Sequence, residues 1–334
     1  MKTIEAPSFS IDALKLTERP KPAPGRNEIL VRMRAASLNY RDLAVLSGKY
    51  MPALPLPYVP LSDGCGVVEQ AGEGVTRFAV GQRVIPLYTQ GWYAGMPTVE
   101  MRTKRTLGGP LPGVLQEYLC VPADDAVAAP EYLSDIEAAT LPIAALTAWT
   151  TLIEGGIKAG STVLVMGTGG VALFALQFAR CFGARVIALT SSDAKVARLK
   201  EMGAEAVVNY RTTPDWEVAV RAATGGLGVD IVVETVGNTL GKSLTATAFG
   251  GFVGVIGFVA GPEATINVRQ LLGPMVRVQG IAVGSRERFE SMMRAMAMHK
   301  IHPVIDSTYP MVQTAEAFHK LERAGHIGKI TISL

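Results

Sequence analysis

The sequence predicts an α/β protein made of a β-rich domain and a domain built on a doubly wound parallel sheet. Its 334 residues allow two hydrophobic cores, and 49% hydrophobic with 18% charged residues excludes global disorder. Up to about residue 125, short apolar runs alternate with turn residues, as in a compact barrel or sandwich. From Ser134 onward, strand patterns alternate with helix patterns, as in a parallel sheet with crossover helices.

Strands in the β-rich domain are predicted at short alternating or apolar runs between turn residues. Four examples are Glu28–Arg34, Gly66–Gln70, Arg83–Pro86 and Glu117–Val121. The segment Tyr88–Gln116 carries five glycines and few strand signals. A loop of that length is usually a functional lid or disordered.

The parallel-sheet domain begins with a capping box, Ser134-Asp-Ile-Glu137, and a helix predicted to run to about Ile153. A second helix, Asp193–Met202, should end at Gly203, which is a C-cap position. Six strands are predicted between and after such helices: Thr162–Met166, Arg185–Leu189, Ala206–Val208, Asp230–Val233, Phe252–Ile256 and Val278–Val283.

The tail of the chain departs from this alternation. It contains two predicted helices, Arg286–His299 and Thr314–Arg323, and a closing strand, Lys329–Ser333. That strand lies too far from the rhythm of the sheet to belong to it, so we expect it to return to the first domain. The predicted domains are residues 1–125, residues 126–280, and the return over residues 281–334.

A glycine-rich turn follows the strand Thr162–Met166 and precedes an apolar helix from Val171 to about Phe182. The turn reads Gly167-x-Gly169-x-x-Ala172, a spacing that gives a tight turn, a close approach of backbone to a pyrophosphate, and close packing of helix on strand. The helix N-terminus then offers free N–H groups to phosphates. The order strand, turn, helix, strand favours dinucleotide binding over a plain structural turn.

Composition and charge limit the classes of molecule that the protein is expected to bind. The net charge of +3 comes without a basic block, so neither nucleic acid nor an anionic membrane is indicated. The uncharged run Ser161–Ala179 has the length of a membrane span, but the glycine turn interrupts it. The N-terminus has no apolar signal region, and three scattered cysteines suggest no disulfide framework. A cytoplasmic protein is expected.

The chain resembles the medium-chain dehydrogenase/reductase superfamily, in particular its zinc-independent quinone-oxidoreductase branch. The matching stretches follow the family's order over nearly the whole chain: Ala35–Asp42, Ser47–Tyr50, Ala71–Val84, Leu146–Trp149, Gly167–Ala172, Val208–Tyr210 and Gly328-Lys329. The resemblance implies a chaperonin-10 (GroES)-like domain, a Rossmann domain, and an active site in the cleft between them.

Zinc-dependent relatives bind catalytic zinc at three positions where this chain has Asn39, Ser62 and Ile143. None is a good zinc ligand. The four cysteines of the relatives' structural zinc site are absent from residues 88–116. His299 and His302 have no third ligand nearby in the sequence and are interpreted as surface residues. No metal is expected.

The cofactor is expected to be NADP, with NAD as the alternative. The acid that NAD-specific folds place after the second strand is missing, and Thr190, Ser191, Ser192 and Lys195 occupy this region. Hydroxyls with a cation suit a phosphate dianion, although Lys195 and Arg211 could be solvated surface charges and Asp193 is close. The full predicted cofactor set is Thr147, Gly167, Thr168, Gly169, Gly170, Val171, Thr190, Ser191, Ser192, Lys195, Tyr210, Ile256, Phe258 and Lys329.

Without zinc, another group must polarise an acceptor oxygen. The resemblance assigns this to Tyr50, where related enoyl reductases carry a proton-donating tyrosine; the alternative is a tyrosine that only packs. Asn39 is expected to hold substrate or the nicotinamide ribose, or to cap a turn. Trp92 and Tyr93 are candidates for an aromatic acceptor pocket, or packing anchors.

The resulting hypothesis is an NADPH-dependent reductase of quinones or α,β-unsaturated carbonyls, acting on a small molecule without metal. The alternatives are a zinc-independent alcohol dehydrogenase or carbonyl reductase, and a non-enzymatic dinucleotide-binding protein. Relatives pair the last Rossmann strand, here Val278–Val283, across a two-fold axis, so the resemblance also implies a homodimer.

Overall fold

The computed structural model describes residues 1–334 and separates them into two compact units. The first unit comprises residues 1–146 and 284–334, and the second comprises residues 147–283. The sequence prediction placed the first boundary at residue 126. The structure keeps the segment 126–146 with the first unit, where Arg83 Nε donates to Asp135 Oδ1 at 2.7 Å and the Ile143 N–H donates to Asp63 at 3.1 Å.

The strands and helices are numbered in chain order. The strands are β1 Lys2–Glu5, β2 Lys15–Glu18, β3 Glu28–Ser37, β4 Asp63–Ala71, β5 Arg83–Pro86, β6 Tyr118–Pro122, β7 Ala126–Ala128, β8 Thr162–Met166, β9 Arg185–Thr190, β10 Ala206–Asn209, β11 Val229–Glu234, β12 Thr247–Val255, β13 Arg277–Gly280, β14 Ile305–Pro310 and β15 Lys329–Ser333. The helices are α1 Tyr40–Leu46, α2 Val99–Lys104, α3 Asp135–Ala138, α4 Leu146–Glu154, α5 Gly170–Cys181, α6 Val196–Glu201, α7 Trp216–Ala223, α8 Leu240–Ala246, α9 Arg269–Leu272, α10 Arg286–His299 and α11 Thr314–Arg323.

The first unit is organised around β3, which is antiparallel to β4, β6 and β15. The sheet runs in the order β14-β15-β3-β4-β5-β7, with β6 also on β3. The central strand buries Ile29, Val31 and Met33 in the core of this unit, because alternate residues of a strand point to one face. The final strand β15 therefore belongs to the first unit.

One predicted helix is broken. The sequence predicted a single helix from Ser134 to about Ile153, but α3 and α4 are separated by a π-helical turn, Leu141–Ala145. Pro142 lies in this turn, and a proline cannot donate the backbone hydrogen bond of a regular helix. The predicted capping box is present, since the Glu137 N–H donates to Ser134 Oγ and Glu137 accepts from the Ser134 N–H.

The second unit has a six-stranded sheet in the order β10-β9-β8-β11-β12-β13, and all its pairs are parallel. The doubly wound parallel sheet predicted from the sequence is confirmed. Every residue of β8 is buried, as expected for a central parallel strand. The order reverses between β8 and β11, and ligands of such sheets bind at the carboxyl ends of the strands at this point.

None of the helices combines the length and apolar character needed to cross a membrane.

Candidate functional site

The glycine turn lies between β8 and α5, at the carboxyl end of the central strand. Gly167 has a φ of +85°, a left-handed conformation that favours glycine, and its N–H donates to Leu189 O at 2.9 Å. No heavy atom lies within 4 Å of a Cβ built on Gly167 or Gly169. Gly169 is the N-cap of α5 and brings no capping side chain, so the first N–H groups of this helix are available to a phosphate.

A lysine from the segment after β9 reaches the glycine turn. Lys195 Nζ donates to Thr168 Oγ1 at 3.0 Å, and the Ser192 N–H donates to Thr190 Oγ1 at 3.3 Å. The acid nearby is engaged elsewhere, since Asp193 accepts from Asn209 Nδ2 at 2.8 Å. The predicted cation of this unit therefore contacts the Thr168 hydroxyl of the glycine turn, while Thr190 Oγ1 contacts the Ser192 backbone.

Four of the other residues predicted to bind cofactor in the second unit lie on α4 and after strands, while Gly170 and Val171 begin α5. Thr147 is buried on α4, and its carbonyl accepts from Thr151 Oγ1 at 2.7 Å. Tyr210 follows β10 and is 41% exposed. Ile256 follows β12, and Phe258, two residues on, is 37% exposed.

In the first unit, Asn39 lies between two buried charges. Its Nδ2 donates to Asp63 Oδ2 at 2.9 Å, and its Oδ1 accepts from Lys329 Nζ at 2.6 Å. Lys329 Nζ also donates to Leu38 O at 2.5 Å. Both polar atoms of the Asn39 amide are therefore engaged. The cofactor contact predicted for Lys329 stays a prediction, and its ammonium is buried in the first unit.

The buried charges extend to Asp42 and Arg41. Asp42 accepts from the Asn39 N–H and from Ser62 Oγ, both at 2.8 Å, and Arg41 Nη1 donates to Ser62 Oγ at 2.9 Å. We call Asn39, Asp42, Ser62, Asp63 and Lys329 the buried polar cluster. Burial raises the pKa of both aspartates above the usual range and lowers the pKa of Lys329, while the opposite charges counteract these shifts.

Both halves of the chain match known protein families. Residues 25–131 match the alcohol dehydrogenase GroES-like domain, and residues 170–298 match the zinc-binding dehydrogenase family. A zinc-type alcohol dehydrogenase-like protein of Schizosaccharomyces pombe is 41% identical over 97% of this chain and 96% of its own length. The chain belongs to the medium-chain dehydrogenase/reductase superfamily.

Two further relatives extend this result. A crystal structure from Sinorhizobium meliloti 1021 has a TM-score of 0.93 with 44% identity, covering 99% of this chain and 98% of that one. The human quinone oxidoreductase is 29% identical over 94% of this chain and 91% of its own length. The resemblance and the GroES-like and Rossmann folds inferred from the sequence are confirmed. The protein is an oxidoreductase of this nicotinamide-dependent superfamily.

Members of this superfamily include zinc enzymes, and at the positions of their catalytic zinc ligands this chain has Asn39, Ser62 and Ile143. The side chains of Asn39 and Ser62 form hydrogen bonds within the buried polar cluster, and the side chain of Ile143 is apolar. Lys329 and Arg41 bring positive charge to the same place. No three His, Cys, Asp or Glu side chains come together to hold a metal ion. These residues do not suit zinc, which prefers Cys, His and carboxylate ligands.

The candidate catalytic Tyr50 lies just after α1 and is 40% exposed. The turn that positions it needs Gly48, whose φ is +71° and whose added Cβ would lie 3.2 Å from the Phe9 ring. The Tyr50 N–H donates to Ala44 O at 3.1 Å, which fixes its backbone to the helix end.

Arg41 was not predicted, yet it contacts several parts of this region. Its guanidinium lies 5.9 Å from the Tyr50 ring centroid and 4.9 Å from that of Tyr88. It also donates to Thr106 Oγ1 at 3.2 Å and to Gly109 O at 2.5 Å. Arg41 therefore ties α1 to the long segment 88–116. The only indication of Arg41 in the sequence was its place within the matching stretch Ala35–Asp42.

The predicted pocket aromatics differ in exposure. Trp92 is buried, and its Nε1 donates to Gly95 O at 2.8 Å. Tyr93 is 39% exposed, with the Arg286 guanidinium 4.5 Å from its ring centroid. The carbonyls of Trp92 and Tyr93 accept from the first N–H groups of α10, both at 3.0 Å. This part of the long loop is therefore anchored.

Proposed function

We propose that the protein is an NADPH-dependent oxidoreductase that reduces a quinone or an α,β-unsaturated carbonyl without a metal ion. The observation that carries this proposal is the buried polar cluster, which contains Asn39 and Ser62, two of the three positions that correspond to zinc ligands in the zinc-dependent relatives. Asn39 and Ser62 form hydrogen bonds to Asp63, Lys329 and Asp42 within it, and it includes the cation Lys329. The similarity to human quinone oxidoreductase supports the substrate class.

The cofactor assignment depends on Lys195. Its ammonium is 3.0 Å from Thr168 in the glycine turn, and Thr190, Ser191 and Ser192 lie at the end of β9, the strand next to β8. A cation with hydroxyl donors stabilises the 2′-phosphate that distinguishes NADPH from NADH. The bound nicotinamide would supply the hydride.

Tyr50 is the proposed proton donor. The residue is 40% exposed, and the turn after α1 places its ring beside Arg41. Asn39 is proposed to act on substrate or on the nicotinamide ribose with the one Nδ2 hydrogen that Asp63 does not accept. Tyr93, which is more exposed than Trp92, is the proposed aromatic of the acceptor pocket.

The test is NADPH oxidation, followed by absorbance at the nicotinamide band, with a panel of quinones and enones. Turnover with either class and none with simple ketones supports the proposal. Binding of NADPH without turnover of any acceptor supports the non-enzymatic alternative instead.

A second candidate is an alcohol dehydrogenase or carbonyl reductase. It is favoured by the Schizosaccharomyces pombe relative, whose name is of the zinc-type alcohol dehydrogenase kind. Oxidation of simple alcohols with NADP or NAD by protein of measured metal content distinguishes this candidate from the first.

A homodimer is proposed from the free edge of the second unit's sheet. β13 is the last strand of that sheet, and large apolar side chains near it are exposed, with Leu272 at 73% and Phe249 at 74%. Pairing of β13 with a second copy would cover the edge. Light scattering of the purified protein measures this, and a monomer at micromolar concentration would contradict it.

A further inference from the structure

A buried carboxylate outside the predicted sites holds one loop of the second unit. Glu234 is the last residue of β11, and its side chain is fully buried. Its Oε1 accepts from the N–H groups of Val236 and Gly237 at 2.8 and 3.1 Å. Thr239 Oγ1 lies 3.0 and 3.1 Å from its two oxygens, and Ser243 Oγ donates to Oε2. One carboxylate therefore fixes the segment 235–239, which we call the β11 loop.

The backbone of Glu234 joins this loop to the segment after β12. Its carbonyl accepts from the Ile256 N–H at 2.8 Å, and Val236 O accepts from the Ala260 N–H at 3.0 Å. A Cβ added to Gly237 would lie 2.4 Å from Gly261 O. The β11 loop and the segment 256–261 therefore pack backbone against backbone, and a change in one would displace the other.

The β11 loop also meets the end of β8. Thr235 Oγ1 donates to Met166 O at 3.2 Å, directly before the glycine turn. β8 and β11 are the two strands between which the strand order reverses. The loops that follow two such strands form the walls of the ligand crevice in this kind of sheet.

We propose that Glu234 is a positioning residue for the dinucleotide, which it affects through the β11 loop and the segment 256–261 rather than by contact. This inference rests on the proposed binding of a nicotinamide dinucleotide at the glycine turn. Lys195 and the hydroxyls after β9 lie on the opposite side of β8. Glu234 therefore acts on the half of the dinucleotide that does not carry the 2′-phosphate and is the same in NADPH and NADH.

The test is Glu234→Gln in the full chain, with Kd for NADPH and for NADH measured by nucleotide fluorescence. The amide keeps the shape of the carboxylate but turns an NH₂ group toward donors. Both dissociation constants should rise about tenfold, as expected for the loss of a positioning hydrogen bond, and their ratio should stay constant. Thr239→Val removes only the threonine's hydrogen bonds and should give a smaller rise in both.

Asp230→Asn is the matched control, because Asp230 lies near the other end of β11 and accepts from the Thr162 N–H at 2.6 Å. It should lower the unfolding temperature without changing either Kd. Unchanged Kd values in folded Glu234→Gln, or in Thr239→Val if the first variant does not fold, would overturn the inference. An effect on NADPH alone would also overturn it. Failure of the wild type to bind either nucleotide would instead overturn the proposed function, and this inference with it.

Discussion

Lys329, five residues before the end of the sequence, places its ammonium 2.6 Å from Oδ1 of Asn39. This contact sets the orientation of the amide, because Nδ2 must then face Asp63, to which it donates at 2.9 Å. An acid, an amide and an ammonium form one chain of hydrogen bonds in the interior of the first unit. The predictions below begin with this chain.

Replacing Lys329 with methionine should destabilise the first unit. Removal of one member of a buried ionic network leaves an uncompensated charge and typically costs about 3–5 kcal/mol. Urea unfolding measures this loss. Lys49→Met is the control, since Lys49 is exposed and its loss should change the free energy of unfolding by less than about 0.5 kcal/mol. Equal stabilities of the two variants would show that the cluster is not a stabilising network.

Replacing Tyr50 with phenylalanine should lower the turnover of quinone or enone about a hundredfold, which is typical of a lost general acid. The Kd for NADPH should be unchanged, because the variant differs by one hydroxyl in the first unit. Steady-state kinetics and nucleotide titration separate the two effects. Tyr309→Phe, on β14, is the control for loss of a tyrosine hydroxyl. An unchanged rate in Tyr50→Phe removes the residue from the mechanism.

Replacing Lys195 with alanine should weaken NADPH binding about tenfold to a hundredfold, because a hydrogen bond to a charged group contributes about 1.5–3 kcal/mol. NADH binding should change little. Lys200→Ala, in the exposed part of α6, is the matched control. Equal losses for the two nucleotides in Lys195→Ala would contradict the NADPH assignment.

Metal analysis tests the proposal of a zinc-free site. Purified protein should contain far less than one zinc per chain, and incubation with a chelator should leave NADPH-dependent activity unchanged. Stoichiometric zinc that is removed together with activity would reverse the assignment of the buried polar cluster.

His319 predicts a pH dependence of stability in the first unit. Its Nε2 lies 2.9 Å from Asp12 Oδ1, and the hydrogen bond to Asp12 raises the pKa of the imidazole, with Glu322 adding to the effect. A raised pKa in the folded state gives stability that is fully present below about pH 6.5 and is lost as the pH rises through the folded pKa.

The wild type should therefore be more stable than His319→Gln at pH 5.5, and the gap should close by pH 8.5. The contact is solvent-exposed, so the gap should stay below about 1 kcal/mol. Thermal unfolding at the two pH values measures it, with His299→Gln as the control. A gap that is the same at both values would contradict the role of the charged contact with Asp12.

The parts of the fold with a strong local pattern were predictable from the sequence. The bounds of α10, α11 and β15 coincide with the prediction, and so do those of β8. The break near Pro142 was missed, because the apolar pattern of a π-helical turn resembles that of a continuous helix. The short strands β1 and β2 were also missed, since four residues carry little local pattern and the partners of β1, which include Gln116, are distant in the sequence.

The candidate site also contains some residues that could be predicted from the sequence and others that could not. The glycine turn could be predicted because its glycines have a fixed spacing. Lys195 could also be predicted, because the parallel order of β8 and β9 brings the segment after β9 close to this turn. Arg41 has no comparable spacing, because partners such as Thr106 and Gly109 come from a segment that only the tertiary fold brings near it. Glu234 has its partners close by in the sequence, from Val236 to Ser243, but no motif in the sequence marks them. Lys329 was recognised by its motif, but its burial beside Asn39 depends on the return of β15 to β3.

The placement of β15 also sets an order of events during translation. Residues 147–283 are contiguous and can fold while the ribosome still holds the last part of the chain. The first unit cannot close until Lys329 has left the exit tunnel, and until then Asp63 and Asn39 lack their cationic partner. The nascent first unit therefore stays incomplete until residues 284–334 have been synthesised, and a chain stalled before Lys329 would lack the cationic partner of its buried polar cluster.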